Sequence, residues 1–192
     1  MIINPELIKR TPGAAADVVR FWFVESGPKK WFRGGPAFDA EIRDRFHGHH
    51  AAATAGLLDG WRASAPTALA LLLILDQFSR NMFRRDPRAF ASDPYARLVA
   101  SNAIERRFDK IAPANMRAFF YLPFMHSECL ADQKRSVALF KATMPGSTNL
   151  PFAVEHAEIV ERFGRFPHRN EALGRRSTPA EIAYLKHGGF RG

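Results

Sequence analysis

The stretch SAPTALALLLILDQFSRN, residues 64–81, does most to determine the fold. Residues 68–75 within it are apolar on every side, and a helix of that composition is buried at the centre of a domain. Ser64 can cap this helix, and Pro66 suits its first turn, where a backbone N–H has no intrahelical partner. The stretch therefore predicts a central buried helix that becomes polar towards Asn81.

Helical signals extend over the remainder of the chain, whereas no alternating run of β-branched residues indicates a strand. Thr178 to Glu181 has the pattern of a capping box, and Asp93 followed by Pro94 is typical of a capped helix start. Short connections favour antiparallel neighbours and no linker divides the chain, so we expect a single all-α domain over residues 1–192, with about eight helices in stacked antiparallel pairs. The predicted helices span 14–24, 38–58, 64–81, 93–106, 113–121, 127–143, 151–163 and 178–186.

Composition limits the classes of partner. The 28 Lys and Arg residues exceed the 19 Asp and Glu residues, and arginine, whose planar fork suits a carboxylate or phosphate, dominates the excess. An anionic partner is therefore permitted but not required. The single Cys129 excludes an internal disulfide and a cysteine-based zinc cage. The longest apolar run is too short to span a bilayer, and the first residues lack the apolar core of a signal peptide, so a cytoplasmic protein without a membrane span is expected.

The polar end of the central helix is the first candidate site. Asp76 and Arg80 are four residues apart, and Asp76 lies on the same face as Leu72, so its carboxylate is expected to point inward. A buried carboxylate needs a partner, and Arg80 is the nearest one; Gln77 and Asn81 flank the pair. Two interpretations stay open: an ion pair that fixes the helix end, or one part of a binding site.

A second group of polar residues follows the helix break at Pro123. His126 stands at the break, and Glu128 and Asp132 are four residues apart on the next predicted helix. Two carboxylates beside a histidine can bind a cation or transfer a proton. The spacing does not match a zinc-binding helix and specifies no further ligand, so no metal is predicted. The structural alternative is that Ser127 caps the helix and Glu128 suits its positive end.

The stretch EHAEIVERFGRFPHRNEALGRR, residues 155–176, is the third candidate. Its helical part ends at Gly164, and Pro167 stiffens the loop that follows. Glu158 and Arg162 have the spacing of an i,i+4 ion pair. The loop would present a preformed donor cluster for a carboxylate or phosphate, made of Arg165, His168 and Arg169. Alternatively, these cations neutralise the acidic side chains Asp76, Glu128, Asp132 and Glu158.

Several of these motifs resemble a known family. The segments LDQFSRNMFR at 75–84, FYLPFMHSECLADQ at 120–133 and HAEIVERFGRFPHRNEALGR at 156–175 resemble the bacterial family called domain of unknown function 924. VVRFWF at 18–23 and RAFASDPYA at 88–96 match as well. The resemblance covers nearly the whole chain and implies an all-helical, tetratricopeptide-repeat-like fold, with no activity assigned.

The resemblance also points to a set of polar site residues. Two positions depart from the family pattern, namely Ser79, where proline is frequent, and Cys129, but neither departure removes a charged group. The residues expected to bind a ligand are Asp76, Gln77, Arg80, Asn81, His126, Glu128, Asp132, His156, Arg162, Arg165, His168, Arg169 and Asn170, and the family pattern includes Gln133.

These patterns support three classes of function. The first is a module that binds an anionic small molecule or an acidic peptide. The second is a hydrolase or transferase acting on an anionic metabolite, with His126, Glu128 or His168 as candidate catalytic groups. Nucleic-acid binding ranks third, because the Arg-Arg pairs are dispersed and no recognised binding motif accompanies them. No cofactor fingerprint is present, and the sequence leaves the ligand, the existence of a reaction and the oligomeric state open.

Overall fold

The computed structural model describes residues 13–31 and 34–192, in which α-helices alternate with short π-helical and 3-10 segments and no strand occurs. The predicted all-α class is therefore confirmed. No helix in this part of the chain is both long and apolar enough to cross a membrane. The α-helices are α1 Gly13–Arg20, α2 Pro28–Trp31, α3 Pro36–Thr54, α4 Ala65–Leu72, α5 Ser79–Met82, α6 Arg88–Ala91, α7 Asp93–Glu105, α8 Phe108–Ile111, α9 Ala114–Arg117, α10 Leu122–Met125, α11 Leu130–Thr143, α12 Asn149–Phe163 and α13 Pro179–Lys186.

Contacts between residues divide the chain into two compact units. The first unit holds the described residues up to Arg84 together with Arg88–Pro123. The second unit holds Arg85–Pro87 and Phe124–Gly192. The expectation of a single domain over residues 1–192 stays a prediction.

The central helix of the first unit is the one that the sequence predicts over residues 64–81. It runs through α4, a π-helical turn at Leu73–Phe78 and α5, and every residue from 67 to 79 is buried. The wider π turn disturbs the regular pairing of backbone carbonyls with amides. The Leu75 carbonyl instead accepts hydrogen bonds from the Ser79 hydroxyl at 2.9 Å and the Ser92 hydroxyl at 2.6 Å. The Ser79 hydroxyl therefore stabilises this turn. Proline, which is frequent at this position in the family pattern, has no hydroxyl and could not form the bond.

Aromatic rings fill the core around this helix. A π-helical segment, Phe21–Ser26, continues α1 and buries three consecutive aromatic side chains at its start. The ring of Phe78 lies 5.4 Å from Trp22 and 4.9 Å from Phe46, measured between centroids. Edge-to-face and tilted pairs of this kind add about 1 kcal/mol each beyond the burial of their area. The central helix is thus fixed on the side of α1 and α3 by ring packing.

The second unit is built on the helical hairpin α11–α12, whose two helices pack against each other across the connection 144–148. Its hydrophobic core contains Ile159, Val160 and Phe166. Partly buried apolar side chains that pack against this core include Phe163 of α12 and Tyr184 of α13. The loop after α12 is therefore anchored by Phe166, and it places the polar side chains of residues 165–170 beside that core.

Two predicted helix caps differ from the structure. α11 begins at Leu130, and Ser127 does not cap it, because its hydroxyl accepts the Cys129 N–H and donates to Asp132. Asp93 is the first residue of α7 and not its cap, since its carboxylate is held by Arg80. The predicted break near Pro123 is present: the 3-10 segment Ala118–Phe120 ends before Tyr121, and α10 begins at Leu122 with Pro123 in its first turn, where proline is tolerated.

The predicted capping box of α13 is confirmed, and it gives a direct test of local stability. The Thr178 hydroxyl accepts the Glu181 N–H at 3.3 Å, and the Glu181 carboxylate accepts the Thr178 N–H at 2.6 Å. We expect Thr178→Ala to lower the free energy of unfolding by about 1 kcal/mol, because one amide of the first turn loses its partner. Urea denaturation measures this difference. Thr178→Ser keeps the hydroxyl and is the control; equal losses in both variants would contradict the assignment.

Candidate functional site

The sequence-predicted site residues fall into both units. The first unit contains Asp76, Gln77, Arg80 and Asn81. The second unit contains His126, Glu128, Asp132, Gln133, His156, Arg162, Arg165, His168, Arg169 and Asn170.

Arg80 joins two buried carboxylates in the first unit. Its Nη1 lies 3.1 Å from Asp76 Oδ1, and its two terminal nitrogens donate to the two oxygens of Asp93 at 3.0 Å each. Gln77 donates a further hydrogen bond to Asp76. Burial by itself lowers the pKa of Arg80, but the charges of Asp76 and Asp93 outweigh it and raise the pKa above its ordinary value. The guanidinium therefore stays charged and fixes the end of the central helix to α7.

Asn81 and Arg84 are held in the same way by Asp39 of α3. Asn81 Nδ2 donates to Asp39 Oδ1 at 2.8 Å, and Arg84 binds both oxygens at 2.7 and 2.9 Å. Burial raises the pKa of Asp39, yet the hydrogen bonds from Arg84 and Asn81 bring it below its ordinary value. The predicted site residues of the first unit therefore all have internal partners, which favours the structural interpretation for this group.

Glu128 is the centre of the corresponding network in the second unit. Its two oxygens accept a bidentate pair from Arg175 at 2.7 and 2.9 Å, and Oε1 also accepts the Phe166 N–H at 2.8 Å. Burial raises the pKa of Glu128, but these donors lower it below the ordinary value. Arg175 also donates to Asn170 Oδ1 at 2.9 Å. Arg175 lies in the arginine-rich stretch 155–176, but nothing in the sequence distinguished it from the other arginines there as the partner of Glu128.

Arg165 pairs with Glu181, which the sequence predicted only as a capping residue. Arg165 Nε and Nη2 donate to the two oxygens of Glu181 at 2.6 and 2.9 Å, and Nη2 also donates to the Arg176 carbonyl at 2.9 Å. Asn170 Nδ2 lies 3.3 Å from Glu181 Oε2. The hydrogen bonds from Arg165 are the main cause that lowers the pKa of Glu181 to about 2. The carboxylate partner of Arg165 is thus Glu181 and none of the four acidic residues that the sequence suggested.

Two of the three predicted histidines, His156 and His168, pack against the rings of Phe166 and Phe190, and His126 lies beside His156. The centroid of His156 lies 5.2 Å from Phe166, 4.5 Å from Phe190 and 6.5 Å from His126. His168 lies 5.2 Å from Phe190. His156 Nδ1 donates to the Phe152 carbonyl at 2.8 Å, and burial, followed by the neighbouring His126, lowers its pKa to about 3. His156 is therefore a neutral ring in an aromatic cluster, and no group of three acidic, histidine or cysteine ligands suited to a metal occurs in the described residues.

The remaining predicted side chains connect the helix break to the loop after α12. Arg169 is buried, donates to the His126 carbonyl at 2.9 Å and lies 4.5 Å from the Phe166 ring centroid. Gln133 is fully buried and donates to the carbonyl of Ser127 at 2.6 Å. Asp132 accepts a hydrogen bond from Ser127 at 2.7 Å. These contacts hold the backbone of residues 126–127, between α10 and α11.

Arg162 differs from the arginines around it. Its guanidinium carbon lies 4.7 Å from the Phe163 ring centroid and 5.9 Å from that of Tyr184. Over residues 13–31 and 34–192 it has neither an ion pair nor a hydrogen bond, so the predicted Glu158–Arg162 pair is absent there. The exposed side chain lines an open groove of about 430 Å³ between α12 and the C-terminal end of α13, which we call the Arg162 groove. Its other lining residues are Glu155, Ala183, Tyr184, His187, Gly188 and Gly189.

A second groove of about 480 Å³ adjoins the first at Glu155, and we call it the Leu150 groove. It lies beside the connection between α11 and α12, and it is mainly apolar. His126, Glu128 and Arg165 line neither groove. The lining residues of the Leu150 groove are Pro145, Gly146, Ser147, Leu150, Pro151, Val154, Glu155 and Glu158.

The Arg165–Glu181 pair makes stability depend on pH in a defined direction. The folded-state pKa of Glu181 is about 2, below its ordinary value of 4.5, so the folded state favours the ionised form. This contribution is fully present above pH 4.5 and is lost as the pH falls towards about 2. We expect the free energy of unfolding to fall more steeply over this range for the wild type than for Glu181→Gln, which keeps a side chain suited to the capping box.

Urea denaturation at a series of pH values measures the two curves. Glu171→Gln removes an exposed carboxylate that forms no ion pair in the described part of the chain, so its curve should follow that of the wild type. Parallel curves for the wild type and Glu181→Gln would show that the pair contributes nothing to stability.

Comparison with known proteins identifies the family of this chain. A family model described as a bacterial protein of unknown function (DUF924) matches residues 18–189. The solved structure of a protein of unknown function from Agrobacterium tumefaciens is 49% identical, covers 91% of this chain and 97% of that chain, and superposes with a TM-score of 0.86. No curated protein matches. The motifs that suggested the family and the full-length structural likeness agree, and the chain belongs to the bacterial DUF924 family.

Proposed function

We propose that this protein binds a small ligand through an anionic group in the Arg162 groove, with Arg162 as the anchor. The observation that carries the proposal is the contrast between neighbouring arginines. Arg165 and Arg175 each bind a carboxylate through two hydrogen bonds, whereas Arg162 has no polar partner among the described residues. An arginine that lines a groove with unused donors is suited to a carboxylate or phosphate.

The position of Arg162 over two rings supports this use. The faces of Phe163 and Tyr184 attract the guanidinium and limit the conformations that its long side chain samples. A side chain that is already restrained loses less conformational entropy when a ligand binds. The rings contribute no hydrogen bonds, so the five N–H donors of Arg162 stay available to an anion.

The other side of the groove has a shape that depends on Tyr184 and the glycines after α13. The Phe190 N–H donates to the Tyr184 hydroxyl at 3.0 Å, which leaves the hydroxyl proton able to donate to a ligand. A Cβ added to Gly189 would lie 2.5 Å from Tyr184 Cε1, closer than carbon atoms approach each other. Only glycine therefore fits against the ring in its present position, and a larger residue would displace one wall of the groove.

The alternative of an enzyme has less support. Glu128 or Asp132 would have to orient a catalytic histidine, His126 or His168. Both oxygens of Glu128 already accept hydrogen bonds, from Arg175 and the Phe166 backbone, and Asp132 accepts one from Ser127. A carboxylate with its lone pairs used in this way is a poor partner for an acid–base histidine. Nucleic-acid binding also has less support, because the Arg-Arg pairs are dispersed along the chain and no recognised binding motif accompanies them.

Replacement of the anchor tests the proposal. N-acetyl-Leu-Ala-Ala, whose only charge is its C-terminal carboxylate, serves as the probe, and NMR titration of the amide resonances of α12 and α13 gives the affinity. We expect Arg162→Gln to weaken binding about tenfold or more, because a charge-assisted pair contributes roughly 1.5–3 kcal/mol. Binding should also be lost when the peptide's carboxylate is converted to an amide.

Arg176→Gln is the matched control, because Arg176 belongs to the same unit, is exposed and does not line the groove. Its affinity for the probe should equal that of the wild type. The proposal fails if Arg162→Gln binds the probe as tightly as the wild type does, or if the wild type does not bind it.

A further inference from the structure

We infer that the ligand is a short peptide with both termini free, whose carboxylate binds Arg162 and whose ammonium group binds Glu155. This inference rests on the proposed function, because it uses the same contact with Arg162. It adds the ligand class, and it changes the expected chemistry from an anion to a zwitterion.

Glu155 is the feature that leads to this inference. Its half-buried carboxylate lines the same groove as Arg162 and has no hydrogen bond or ion pair with any described residue. Two other acidic side chains of the second unit, Glu128 and Glu181, are each neutralised by an arginine. The Arg162 groove thus presents one uncompensated charge of each sign.

The two charges disfavour several simpler ligands relative to a zwitterion. A ligand with only anionic groups would bring like charges against Glu155, and a purely cationic one would do the same against Arg162. Because Glu155 and Arg162 do not pair with each other, each is open to a group on the ligand. A molecule with a cation at one end and an anion at the other satisfies both.

The spacing along α12 sets the length of the ligand. Glu155 and Arg162 are seven residues apart, which is about two turns on one face and about 10 Å along the axis. An extended peptide spans about 3.5 Å per residue, so the termini of a tripeptide are separated by a similar distance. A free amino acid carries both charges on one carbon and cannot reach both side chains in this arrangement.

The Leu150 groove indicates which side chain the peptide carries at its ammonium end. This groove begins at Glu155, and the apolar side chains of Leu150, Pro151 and Val154 line it. Glu158 also lines it and adds a second negative charge to this groove. A peptide whose first residue is apolar can therefore place that side chain in the Leu150 groove while its chain continues along the Arg162 groove.

The test uses the intact protein and the tripeptide Leu-Ala-Ala in three forms: with both termini free, N-acetylated, and C-terminally amidated. NMR titration gives the affinity of each form. We expect the free peptide to bind best and N-acetylation to weaken binding about tenfold, as loss of one charge-assisted contact predicts. Free leucine should bind less tightly than the tripeptide, because it is too short to reach both charges.

A double comparison assigns the ammonium contact to Glu155. In Glu155→Gln, acetylation of the peptide should no longer change the affinity, because the partner of the ammonium group has been removed. A change that acted only through the fold would weaken both peptides equally. Glu161→Gln, which removes an exposed carboxylate of α12 outside both grooves, should retain the full effect of acetylation.

The outcomes separate this inference from the proposed function. If the free and acetylated peptides bind the wild type equally well and Arg162→Gln weakens both, the anion site stands and the zwitterionic ligand class is wrong. If acetylation still weakens binding tenfold in Glu155→Gln, the ammonium group binds elsewhere and the inference is wrong. If no form of the peptide binds, both proposals fail.

Discussion

The second unit depends on the neutralisation of one carboxylate, that of Glu128. Taking a carboxylate out of water is unfavourable unless donors replace the lost hydration, and Glu128 has three. One of them is the Phe166 backbone N–H, which fixes the loop after α12. The other two belong to Arg175, which also holds Asn170. Through Asn170 the hydrogen bonds continue to Glu181 and the start of α13.

This network explains the abundance of arginine in residues 155–176 and also limits its functional meaning. Removing one member would leave its partner charged and partly buried, which is more unfavourable than the pair is favourable. Arg165 and Arg175 are therefore committed to the fold. What remains for function is the smaller set of charges outside the network, and among those that line a groove, Arg162 and Glu155 have opposite signs.

Much of the fold could be predicted from the sequence, because the deciding signals are local. The apolar run before Asp76 predicted a buried central helix, and Thr178 with Glu181 predicted a capping box; both are present. The sequence was a poorer guide to which charged side chains pair with each other. Asp93 looked like a helix cap, yet Arg80 takes its carboxylate, and only the packed structure decides between two such uses. The π-helical segments were also missed, since their extra residue is held by contacts from elsewhere in the fold, such as Ser92 on Leu75.

Of the residues that line the Arg162 groove, the set predicted from the sequence contained Arg162 but not the others. The sequence identified polar residues that do cluster within each unit, but it could not say which arginine would keep its donors. The sequence predicted Glu181 as a capping residue, and it also pairs with Arg165. Because of this ion pair, Arg165 is not available to bind a ligand. Tyr184 and the glycines after α13 gave no functional signal, because a groove wall depends on how helices meet and not on a motif.

The π turn at Leu73–Phe78 also bears on how this helix tolerates changes in length. The turn holds one residue more than an α-helical turn, and its wider path absorbs that residue, so the helix keeps its facing on both sides. A further residue inserted beside the turn would not be absorbed and would rotate everything that follows by about 100°. Arg80 would then face away from Asp93, and Asn81 away from Asp39. Relatives should therefore tolerate the loss of one residue from this segment better than the gain of one.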